Sequence, residues 1–281
     1  MADVIVKSDA TALDLLLEKV YREGGYDFRE YKPGMVTRRL ERRLRAAGLN
    51  TYPDYMKFLD DHPEEYQRLA EDLTIKVGGF FRSPYAFQQL ARVVLPELVA
   101  CKREQGERRL RIWSTACARG EEPYSIAILL AESLGRELRS FDISIYATDI
   151  SRQALKEAQV GVYSAKDVES LPSTILEGYF THSKQGYEVT ADIRRMLRFF
   201  YFDLTSTVGQ VFTGLDCIFC CNVLIYLQKA LQERVLNMLY SSLATPGYLI
   251  LGEVETPTGS LREKLECLDS KAKIYKKNRN R

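Results

Sequence analysis

The sequence predicts an α/β protein: a small all-helical N-terminal domain is followed by a mostly parallel sheet into which a small antiparallel β-subdomain is inserted. Three observations support this prediction. Residues 8–82 show apolar residues at helical spacing and no strand-like alternation. From Leu110 onward, short apolar runs alternate with helical patterns, which is typical of a parallel sheet covered by helices. Between residues 178 and 200, a hairpin pattern interrupts that alternation.

The N-terminal domain contains four predicted helices. They cover residues 13–20, 35–47, 52–59 and 63–77. Glycine pairs at 24–25 and 78–79 end the first and the last of them, because glycine readily leaves the helical conformation. A further helix begins after Pro84 and connects the two parts of the chain. We therefore predict one domain of residues 1–85 and a second of residues 86–281.

The second domain alternates strands and helices. Strands are predicted at 110–115, 143–148, 198–202, 215–221, 247–252 and 272–276. Helices are predicted at 123–134, 151–158 and 228–243. The inserted β-subdomain, at about 178–200, contains Tyr179-Phe180, a turn at 183–186 and a second short strand at 187–189. In such a sheet, polar residues at the ends of parallel strands meet at one edge.

Composition excludes several classes of protein. The chain of 281 residues has 46% hydrophobic and 28% charged residues, as is ordinary for a globular protein. Its net charge of +2 gives no general attraction to nucleic acid or to an anionic membrane. No apolar run reaches the roughly 18 residues that span a bilayer, and no secretory signal is visible. We expect a cytoplasmic protein without membrane insertion or nucleic-acid binding, and we assume a monomer.

The cysteines and histidines do not suggest a metal site. Cys217, Cys220 and Cys221 are spaced like zinc ligands, but they lie within a predicted buried strand, where a free cysteine acts as a small hydrophobe. The two histidines, His62 and His182, stand in polar surroundings. We therefore expect reduced thiols, no bound metal and no histidine-based catalysis.

The most informative motif is the stretch from Trp113 to Ala127, which predicts a strand, a tight turn and a helix. Gly120 marks the turn, and Glu121 and Glu122 follow it at the start of the helix. In an open α/β sheet, a nucleotide-like ligand binds at such a junction, beyond the carboxyl end of the strand. An ordinary strand–helix connection would look similar, so the interpretation depends on the neighbouring strands.

Asp149 ends the next predicted strand, 29 positions after Gly120 (149 minus 120). A carboxylate at this place can accept hydrogen bonds from both hydroxyl groups of a ribose. The alternative is that Asp149 caps the following helix, a role that Ser151 could equally fill. We favour ribose binding.

Two further strand ends carry polar groups. Asn222 follows the apolar run at 215–221, and Tyr226 lies a short distance beyond it. Asp203 follows the strand at 198–202. A buried amide needs hydrogen-bond partners, and the convergence of several polar groups at one sheet edge favours a ligand site over separate structural roles. The alternative is a capping asparagine and a core tyrosine.

Four motifs resemble those of the CheR-type chemotaxis receptor glutamate O-methyltransferases. They are Thr74–Arg82 (TIKVGGFFR), Trp113–Ala127, Ala147–Ile150 (ATDI) and Phe219–Tyr226 (FCCNVLIY). The resemblance implies a Rossmann-like class I methyltransferase domain after the helical N-terminal domain. It also implies transfer of a methyl group from S-adenosylmethionine to glutamates of a methyl-accepting chemoreceptor, as adaptation in chemotaxis-like signalling. The products would be glutamate methyl esters and S-adenosylhomocysteine.

The resemblance also implies roles for individual residues. Arg82 and Tyr226 match the positions that face the transferred methyl group and are the expected catalytic residues. The expected cofactor-binding residues are Lys76, Gly78, Arg82, Glu122, Asp149, Asp203, Leu204, Cys221 and Asn222. Among these, Glu122 matches a contact of the methionine portion and Asp149 a contact of the ribose. Asp203-Leu204 matches the residues beside the adenine. Because a glutamate is already ionised at neutral pH, this reaction needs no general base.

The chain departs from the family pattern at several places. Lys76-Val-Gly78 stands where Asn-x-Thr is usual, Arg119 adds a cation before Gly-Glu-Glu, and Cys221 replaces an arginine. Val254-Glu255 stands where a Ser-Glu pair is usual. A cation near the sulfonium is repulsive, so the added cations must point away, pair with acids or weaken cofactor binding. The candidate acids are Glu121, Glu122 and Glu253. These changes keep an alternative open: a CheR-like module that binds cofactor or a partner with little turnover.

Five arginines of the second helix are the expected substrate-binding residues. They are Arg38, Arg39, Arg42, Arg43 and Arg45. In the family, the equivalent helix recognises the acidic cytoplasmic helices of a chemoreceptor. The alternatives are a solvated helix face and a nucleic-acid site; a methyltransferase for RNA or a small molecule would show activity without any receptor. The short turn between Phe180 and Tyr187 predicts no binding of a receptor's C-terminal pentapeptide, because tethered family members have a longer loop there.

Overall fold

A computed structural model of the protein describes residues 10–74, 78–206 and 212–278. These residues form two compact units. The first contains the described part of Met1–Ile75 together with Tyr226–Gln232, and the second contains the described parts of Lys76–Ile225 and Glu233–Arg281. Within the described ranges, we find no helix whose length and apolar character would let it cross a membrane.

The first unit is helical. Its helices are α1 (Ala10–Lys19), α2 (Pro33–Ala46), α3 (Tyr52–Asp61) and α4 (Glu64–Leu73). A π-helical turn, Val20–Gly24, extends α1 to the predicted break, where Gly25 adopts a left-handed φ of 76°. The helix predicted at 63–77 ends earlier, at Leu73, because Thr74 is extended with a ψ of 135°. The rest of that predicted range lies outside the described residues.

Apolar side chains from all four helices fill the core of the first unit. Its fully buried members include Leu16, Val20, Phe28, Leu40, Leu44, Tyr55, Leu59 and Leu69. Residues 226–232 join this unit through main-chain hydrogen bonds. The Lys32 N–H donates to the Tyr226 carbonyl at 2.8 Å, and the Gln228 N–H donates to the Glu30 carbonyl at 2.9 Å. The segment that contains Tyr226 is therefore fastened to helices that lie far from it in sequence.

The second unit contains a seven-stranded sheet and a separate three-stranded sheet. The strands are β1 (Arg109–Thr115), β2 (Asp142–Asp149), β3 (Val162–Tyr163), β4 (Phe180–Ser183), β5 (Gly186–Val189), β6 (Leu197–Tyr201), β7 (Leu215–Cys220), β8 (Leu243–Leu251), β9 (Leu265–Asp269) and β10 (Ile274–Lys277). The large sheet has the order β6-β2-β1-β7-β8-β10-β9. Its strands from β6 to β8 in that order are parallel, and β10 is antiparallel to both neighbours. The predicted α/β class is confirmed.

Helices connect these strands. They are α5 (Pro84–Gln89), α6 (Leu95–Glu104), α7 (Glu121–Leu134), α8 (Arg152–Val160), α9 (Ala165–Val168), α10 (Ser173–Tyr179), α11 (Ala191–Arg194), α12 (Lys229–Ser242) and α13 (Leu261–Lys264). A π-helical turn at Leu90–Val94 joins α5 to α6, as predicted for the helix after Pro84. All six residues of β7 are buried, including Cys217 and Cys220, which explains why this strand is a continuous apolar run.

Four details differ from the sequence prediction. β9 was not predicted because its sequence, LECLD, contains two acids; it lies at the sheet edge, where polar side chains are tolerated. β8 begins at Leu243 rather than at 247 and includes Pro246. The small sheet has the order β3-β5-β4, so it includes Val162–Tyr163, a strand too short to give a pattern. Residues 197–201, placed within the insertion or at its end, form β6 of the large sheet.

Candidate active site

The parallel strands end side by side at one edge of the large sheet. Ser114, near the end of β1, is paired with Ala147 of β2 and with Phe219 of β7. Asp149, the last residue of β2, is paired with Tyr201, the last residue of β6. These strand ends and the turns that follow them contain Asp149, Asp203 and Asn222. The register therefore brings three sequence-predicted segments to the same edge.

Three of the sequence motifs contain non-glycine residues with a left-handed backbone. These residues are Phe81 (φ 49°), Ala116 (φ 50°), Ala118 (φ 48°) and Asn222 (φ 60°). For residues other than glycine this conformation costs of order 1–3 kcal/mol, and it persists only where the surroundings hold it. Ala116, Ala118 and Asn222 lie in the turns after β1 and β7, at the edge where the polar strand ends meet, while Lys273, directly before β10, shows the same conformation with a φ of 56°.

Gly120 shapes the loop between β1 and α7. Its φ is 91°, and a Cβ atom at this position would lie 2.9 Å from the Cβ of Ala158. Only glycine allows both this backbone conformation and this close packing. α7 begins directly afterwards, at Glu121. Because the first N–H groups of a helix have no partner within it, this end of α7 suits an anionic group of a ligand.

Asp149 joins the loop after β1 to the end of β2. It is 8% exposed; one carboxylate oxygen accepts the Ala118 N–H at 2.9 Å and the other the Ser151 N–H at 2.7 Å. Ser151 caps α8, since its hydroxyl accepts the Ala154 N–H at 3.1 Å. The helix-capping alternative for Asp149 is therefore not needed, and Asp149 holds two turns together at the site.

Glu122 is a partly buried carboxylate in the first turn of α7. Its Oε1 accepts a hydrogen bond from the Ser114 hydroxyl at 2.7 Å. Burial raises its pKa from 4.5 to about 7, although hydrogen bonds from Ser114 and Cys221 lower it. The charge of Glu255 raises this pKa further, and the charge of Arg82 lowers it. The structure thus brings two predicted site residues, Cys221 and Arg82, within electrostatic reach of a third, Glu122.

The segment before Arg82 contacts α7. The Phe81 N–H donates to the Ser125 hydroxyl at 3.0 Å, which fixes this segment against the helix. A Cβ atom on Gly78 would lie 2.3 Å from Oε2 of Glu121, so a larger residue would displace that side chain. Glu121 is 4% exposed, its Oε2 has no hydrogen-bond partner among the described residues, and burial raises its pKa. Lys76, another predicted contact, lies outside the described residues.

Arg119 is directed toward α8 and α9. Its guanidinium pairs with Asp167 at 3.0 Å and with Glu157 at 3.5 Å. The hydrogen bond from Arg119 lowers the pKa of Asp167 to about 2. Of the outcomes considered for this added cation, the structure shows pairing with acids. The ion pairs are with Asp167 and Glu157, which were not among the candidates named from the sequence. Among the named candidates, Glu121 forms no ion pair with Arg119, but its charge helps to raise the pKa of this guanidinium.

Asp203 and Leu204 lie in a turn after β6 and are half-buried. Asp203 Oδ1 accepts the Thr205 N–H at 2.8 Å and the Thr205 hydroxyl at 2.7 Å, so the turn is closed by its own side chains. The Phe202 N–H donates to the Asp149 carbonyl at 3.1 Å. This bond ties the turn to the end of β2, next to the predicted ribose contact.

The turn after β7 is held by Glu255, which is 4% exposed. Its Oε2 accepts the Asn222 N–H at 2.9 Å and the Gly252 N–H at 2.8 Å, and its Oε1 accepts the Ile225 N–H at 3.2 Å. Burial raises the pKa of Glu255, whereas these backbone bonds lower it. The sequence marks this residue only as part of a departure from the family pattern. Two acids, Glu253 and Glu255, stand in the same short segment, and only burial distinguishes them.

Tyr226 belongs to the first unit, whereas Arg82 belongs to the second. It ends a short 3-10 turn, Leu224–Tyr226. Its phenol lies within electrostatic reach of the guanidinium of Arg39, whose pKa is lowered by burial. The joint action of Arg82 and Tyr226 on a substrate therefore stays a prediction.

The arginines of α2 divide into two groups. Arg43 pairs with the buried carboxylate of Glu65 at 2.5 Å. Arg39 donates to the main-chain carbonyl of Asp72, and Arg42 pairs with the Asp72 carboxylate at 2.7 Å. The exposed members are Arg38, Arg42 and Arg45. The predicted substrate-binding set thus contains residues that support the fold of the first unit as well as residues that face solvent.

A cavity of about 450 Å³ lies at the opposite edge of the sheet, where β1 and β7 begin. Its two acids are paired, because Lys102 contacts Asp216 and Glu107, each at 2.9 Å. The Arg111 guanidinium donates to the Gly214 carbonyl at 2.6 Å. Because the cavity lies at the strand ends away from the predicted site residues, we do not assign it to the candidate site.

Comparisons with known proteins agree with this geometry. The family CheR methyltransferase, all-alpha domain, matches residues 11–74, and the family CheR methyltransferase, SAM binding domain, matches residues 76–274. Chemotaxis protein methyltransferase 2 of Pseudomonas aeruginosa is 36% identical over 244 residues, which are 85% of this chain and 84% of that protein. The chemotaxis protein methyltransferase of Salmonella typhimurium is 32% identical over 88% of this chain and 84% of that protein.

A longer relative shows the same similarity in part of its length. An uncharacterized 104.1 kDa protein of Rhodobacter capsulatus is 34% identical over 88% of this chain, but the match spans only 25% of that protein. The two family matches follow one another along our chain, the helical domain first and the domain that binds S-adenosylmethionine second. The carboxyl edge of the sheet, with its buried carboxylates and strained turns, falls within the second match. The chain belongs to the CheR methyltransferase family.

Proposed function

We propose that the protein transfers a methyl group from S-adenosylmethionine to glutamate side chains on the cytoplasmic helices of a chemoreceptor. The products are glutamate methyl esters and S-adenosylhomocysteine, and the reaction serves adaptation in chemotaxis-like signalling. The main supporting observation is the convergence of Glu122, Asp149 and Asn222 at one sheet edge, inside the match to the SAM binding domain. In this proposal the protein acts in the cytoplasm as a monomer and binds neither nucleic acid nor a membrane directly.

The residues at this edge fit the chemistry of S-adenosylmethionine. When bound, this cofactor supplies an electrophilic methyl group on a sulfonium. Glu122 would pair with the ammonium of the methionine portion, whose carboxylate suits the start of α7. Asp149 would accept hydrogen bonds from the ribose, and Asp203-Leu204 would lie beside the adenine. The other proposed contacts are Lys76, Gly78, Arg82, Cys221 and Asn222.

The catalytic residues would orient the substrate instead of moving a proton. A glutamate with a pKa of about 4.3 is already ionised at neutral pH, so its carboxylate can attack directly. Arg82 would hold this carboxylate through a planar pair of N–H donors, and Tyr226 would offer its phenol to the same group. The rate gain would come from alignment of oxygen, methyl and sulfur and from exclusion of water.

The proposed partner is the acidic, helical cytoplasmic domain of a chemoreceptor. Of the five predicted substrate-binding arginines, the exposed Arg38, Arg42 and Arg45 are our candidates for direct contact. Arg39 and Arg43 would act by holding α2 against α4, as their bonds to Asp72 and Glu65 indicate. Substrate contact through a basic helix face would be weakened by salt, because exposed charges are screened.

The first experiment is calorimetric titration of the purified protein with S-adenosylmethionine and S-adenosylhomocysteine, after removal of any bound ligand. We expect micromolar binding of both. Absence of binding to either compound would contradict the proposed site. A methylation assay on an isolated receptor cytoplasmic domain then tests the substrate, and base-labile methyl esters are the expected product.

A CheR-like binding module with little turnover is the second candidate. It is supported by Cys221, which stands where the family has an arginine and whose thiol donates to the Ile250 carbonyl at 3.9 Å. Cofactor binding without methyl transfer to any receptor domain would favour this candidate. Transfer in the absence of a receptor would instead favour a substrate such as RNA or a small molecule.

A further inference from the structure

Glu255 connects two loops that lie side by side at the carboxyl edge of the sheet. It follows β8 closely in sequence, and its carboxylate accepts N–H groups from the loop after β8 and from the turn after β7. A further backbone bond from Leu224 lowers its pKa. The carboxylate is therefore surrounded by backbone donors from both loops, which is the arrangement that an ionised acid satisfies best.

Gly252 makes room for this carboxylate. A Cβ atom on Gly252 would lie 2.6 Å from Oε2 of Glu255 and 2.8 Å from the backbone nitrogen of Asn222. The close approach of the two loops thus depends on glycine at one side and on the carboxylate at the other. A neutral side chain of the same shape would place an N–H₂ group against at least one backbone donor.

We call the hydrogen bonds between the Glu255 carboxylate and the backbone of the two loops the Glu255 clamp. This clamp holds a residue in a strained conformation. Asn222 has a φ of 60°, which an asparagine adopts at a cost, and its own N–H is one of the groups that Glu255 accepts. Cys221 directly precedes it; the Cys221 thiol donates to the Ile250 carbonyl at 3.9 Å and lies close enough to Glu122 for that carboxyl to raise the thiol's pKa. A change in this turn would therefore displace both predicted cofactor contacts together.

We propose that Glu255 is a positioning residue that holds the turn after β7 in the conformation in which Asn222 contacts S-adenosylmethionine. This inference rests on the proposed function, because it assumes that the cofactor binds at this edge. Glu255 acts through Asn222 and the backbone of the turn and does not itself contact the reacting atoms. The acidic character of Glu255 is required, because every bond that it makes in this clamp is accepted from an N–H group.

A double-mutant cycle in the full chain tests this inference. Glu255→Gln should raise the dissociation constant of S-adenosylmethionine about tenfold, as expected for the loss of a charged acceptor. The matched control Glu253→Gln, at an exposed acid of the same loop, should leave it within about twofold. In an Asn222→Ala background, Glu255→Gln should have a clearly smaller further effect, less than about threefold, because the contact through Asn222 is already lost and only the displacement of Cys221 is left. Equal effects of Glu255→Gln in both backgrounds, or no effect, would overturn the inference.

Backbone hydrogen exchange provides a measurement that does not depend on cofactor binding. In Glu255→Gln, the amides of Asn222 and Ile225 should exchange at least about tenfold faster than in the unsubstituted protein, while those of β1 and β7 stay unchanged. Unchanged exchange in the turn would overturn the clamp. If the unsubstituted protein bound no cofactor while the turn showed the expected exchange, the clamp would stand but the proposed function, and with it the positioning role, would fall.

Discussion

At the scale of the residue, the acids of the site have two roles: some hold turns through backbone hydrogen bonds, and Glu122 has a raised pKa. Asp149 and Glu255 accept backbone N–H groups and hold turns in place. Glu122 accepts a side-chain hydroxyl, and burial raises its pKa to about 7. A buried acid with such a shifted pKa is a frequent feature of functional sites, because binding a cation there recovers the cost of burying its charge.

Glu122 makes stability depend on pH in a direction that can be measured. Its pKa is raised in the folded protein from 4.5 to about 7, so the folded state binds this proton more tightly than the unfolded state does. The free energy of unfolding should therefore fall as the pH rises from 4.5 to 7 and stay low above pH 7. We expect Glu122→Gln to be more stabilising at pH 8 than at pH 5, by about 1–3 kcal/mol in urea unfolding.

The same substitution should weaken cofactor binding. A glutamine cannot pair with the ammonium of the methionine portion, so we expect the dissociation constant of S-adenosylmethionine at pH 8 to rise at least about tenfold. Glu253→Gln removes one acid from an exposed position and is the control for net charge. The measurement of stability has its own contrary outcome. If Glu122→Gln changed the free energy of unfolding equally at pH 5 and at pH 8, the Glu122 carboxyl would be ionised at both pH values in the cofactor-free protein.

Arg82 is expected to act on the substrate more than on the cofactor. Arg82→Ala should lower the rate of receptor methylation about a hundredfold or more, because the attacking carboxylate loses its orienting donors. Binding of S-adenosylmethionine should weaken much less, by under about tenfold, because Arg82 is only one of several proposed cofactor contacts. Arg92→Ala, at an exposed arginine of the helix that joins α5 to α6, is the control. An unchanged methylation rate in Arg82→Ala would remove the positioning role.

At the scale of the element, the position of an arginine on its helix decides whether it pairs with a buried acid or faces solvent. α2 contains the five predicted substrate-binding arginines, yet one face of it packs on α4. Arg43 compensates the charge of Glu65, which is 1% exposed and also accepts the Tyr55 hydroxyl at 2.8 Å. Spacing along the helix cannot separate these two faces, because charged residues occupy both.

Two variants of α2, one single and one double, should therefore have opposite phenotypes. Arg43→Ala should destabilise the protein by about 2–3 kcal/mol, because it leaves the buried Glu65 carboxylate with only the exposed Arg68, 3.8 Å away, as its cation. Arg38→Ala with Arg45→Ala should change stability by less than about 1 kcal/mol but raise the KM for the receptor domain several-fold. Thermal unfolding measures the stability change expected of Arg43→Ala. Methylation rates at increasing salt measure the weaker receptor binding expected of the double variant. Equal methylation by the double variant and the unsubstituted protein would assign these arginines to a solvated face.

At the scale of the whole molecule, the first compact unit contains a segment from the second half of the chain. Residues 226–232 group with the N-terminal helices, and Tyr31 forms an isolated bridge with Leu227. Tyr226, a predicted catalytic residue, lies in a segment that follows β7 in sequence. Main-chain hydrogen bonds join this segment to the helical unit. Continuous sequence therefore does not coincide with compact units in this protein.

Recognition of the receptor should depend on its helical domain and not on a tether. In the small sheet, β4 and β5 are joined through only Lys184 and Gln185. We expect no saturable binding of a receptor C-terminal pentapeptide in a fluorescence or calorimetric titration. The positive control is a family member that binds such a peptide. Tight, saturable binding by this protein would contradict the prediction.

Much of the fold could be predicted because periodicity is a local property. The strands β1, β2 and β7 were predicted within one residue of their observed ends, since their apolar runs are bounded by turn residues. β3 and β9 were not predicted, because one is two residues long and the other is a polar edge strand. At the site, Asp149 and Asn222 stand out as polar residues after apolar runs. Glu255 does not, because it lies beside a second acid in a loop.

Local sequence patterns were enough to predict the α/β class, the order of all strands but β3 and β9, and the sheet edge at which polar groups meet. Those features follow from local patterns of apolar residues and from the handedness rules of parallel sheets. The partners of the charged groups became known only from the three-dimensional structure. Arg119 pairs with Asp167, Arg43 pairs with Glu65, and Glu255 accepts hydrogen bonds from backbone N–H groups. The reason is physical, because burial and pairing depend on neighbours distant in the chain, and a local pattern contains no information about them.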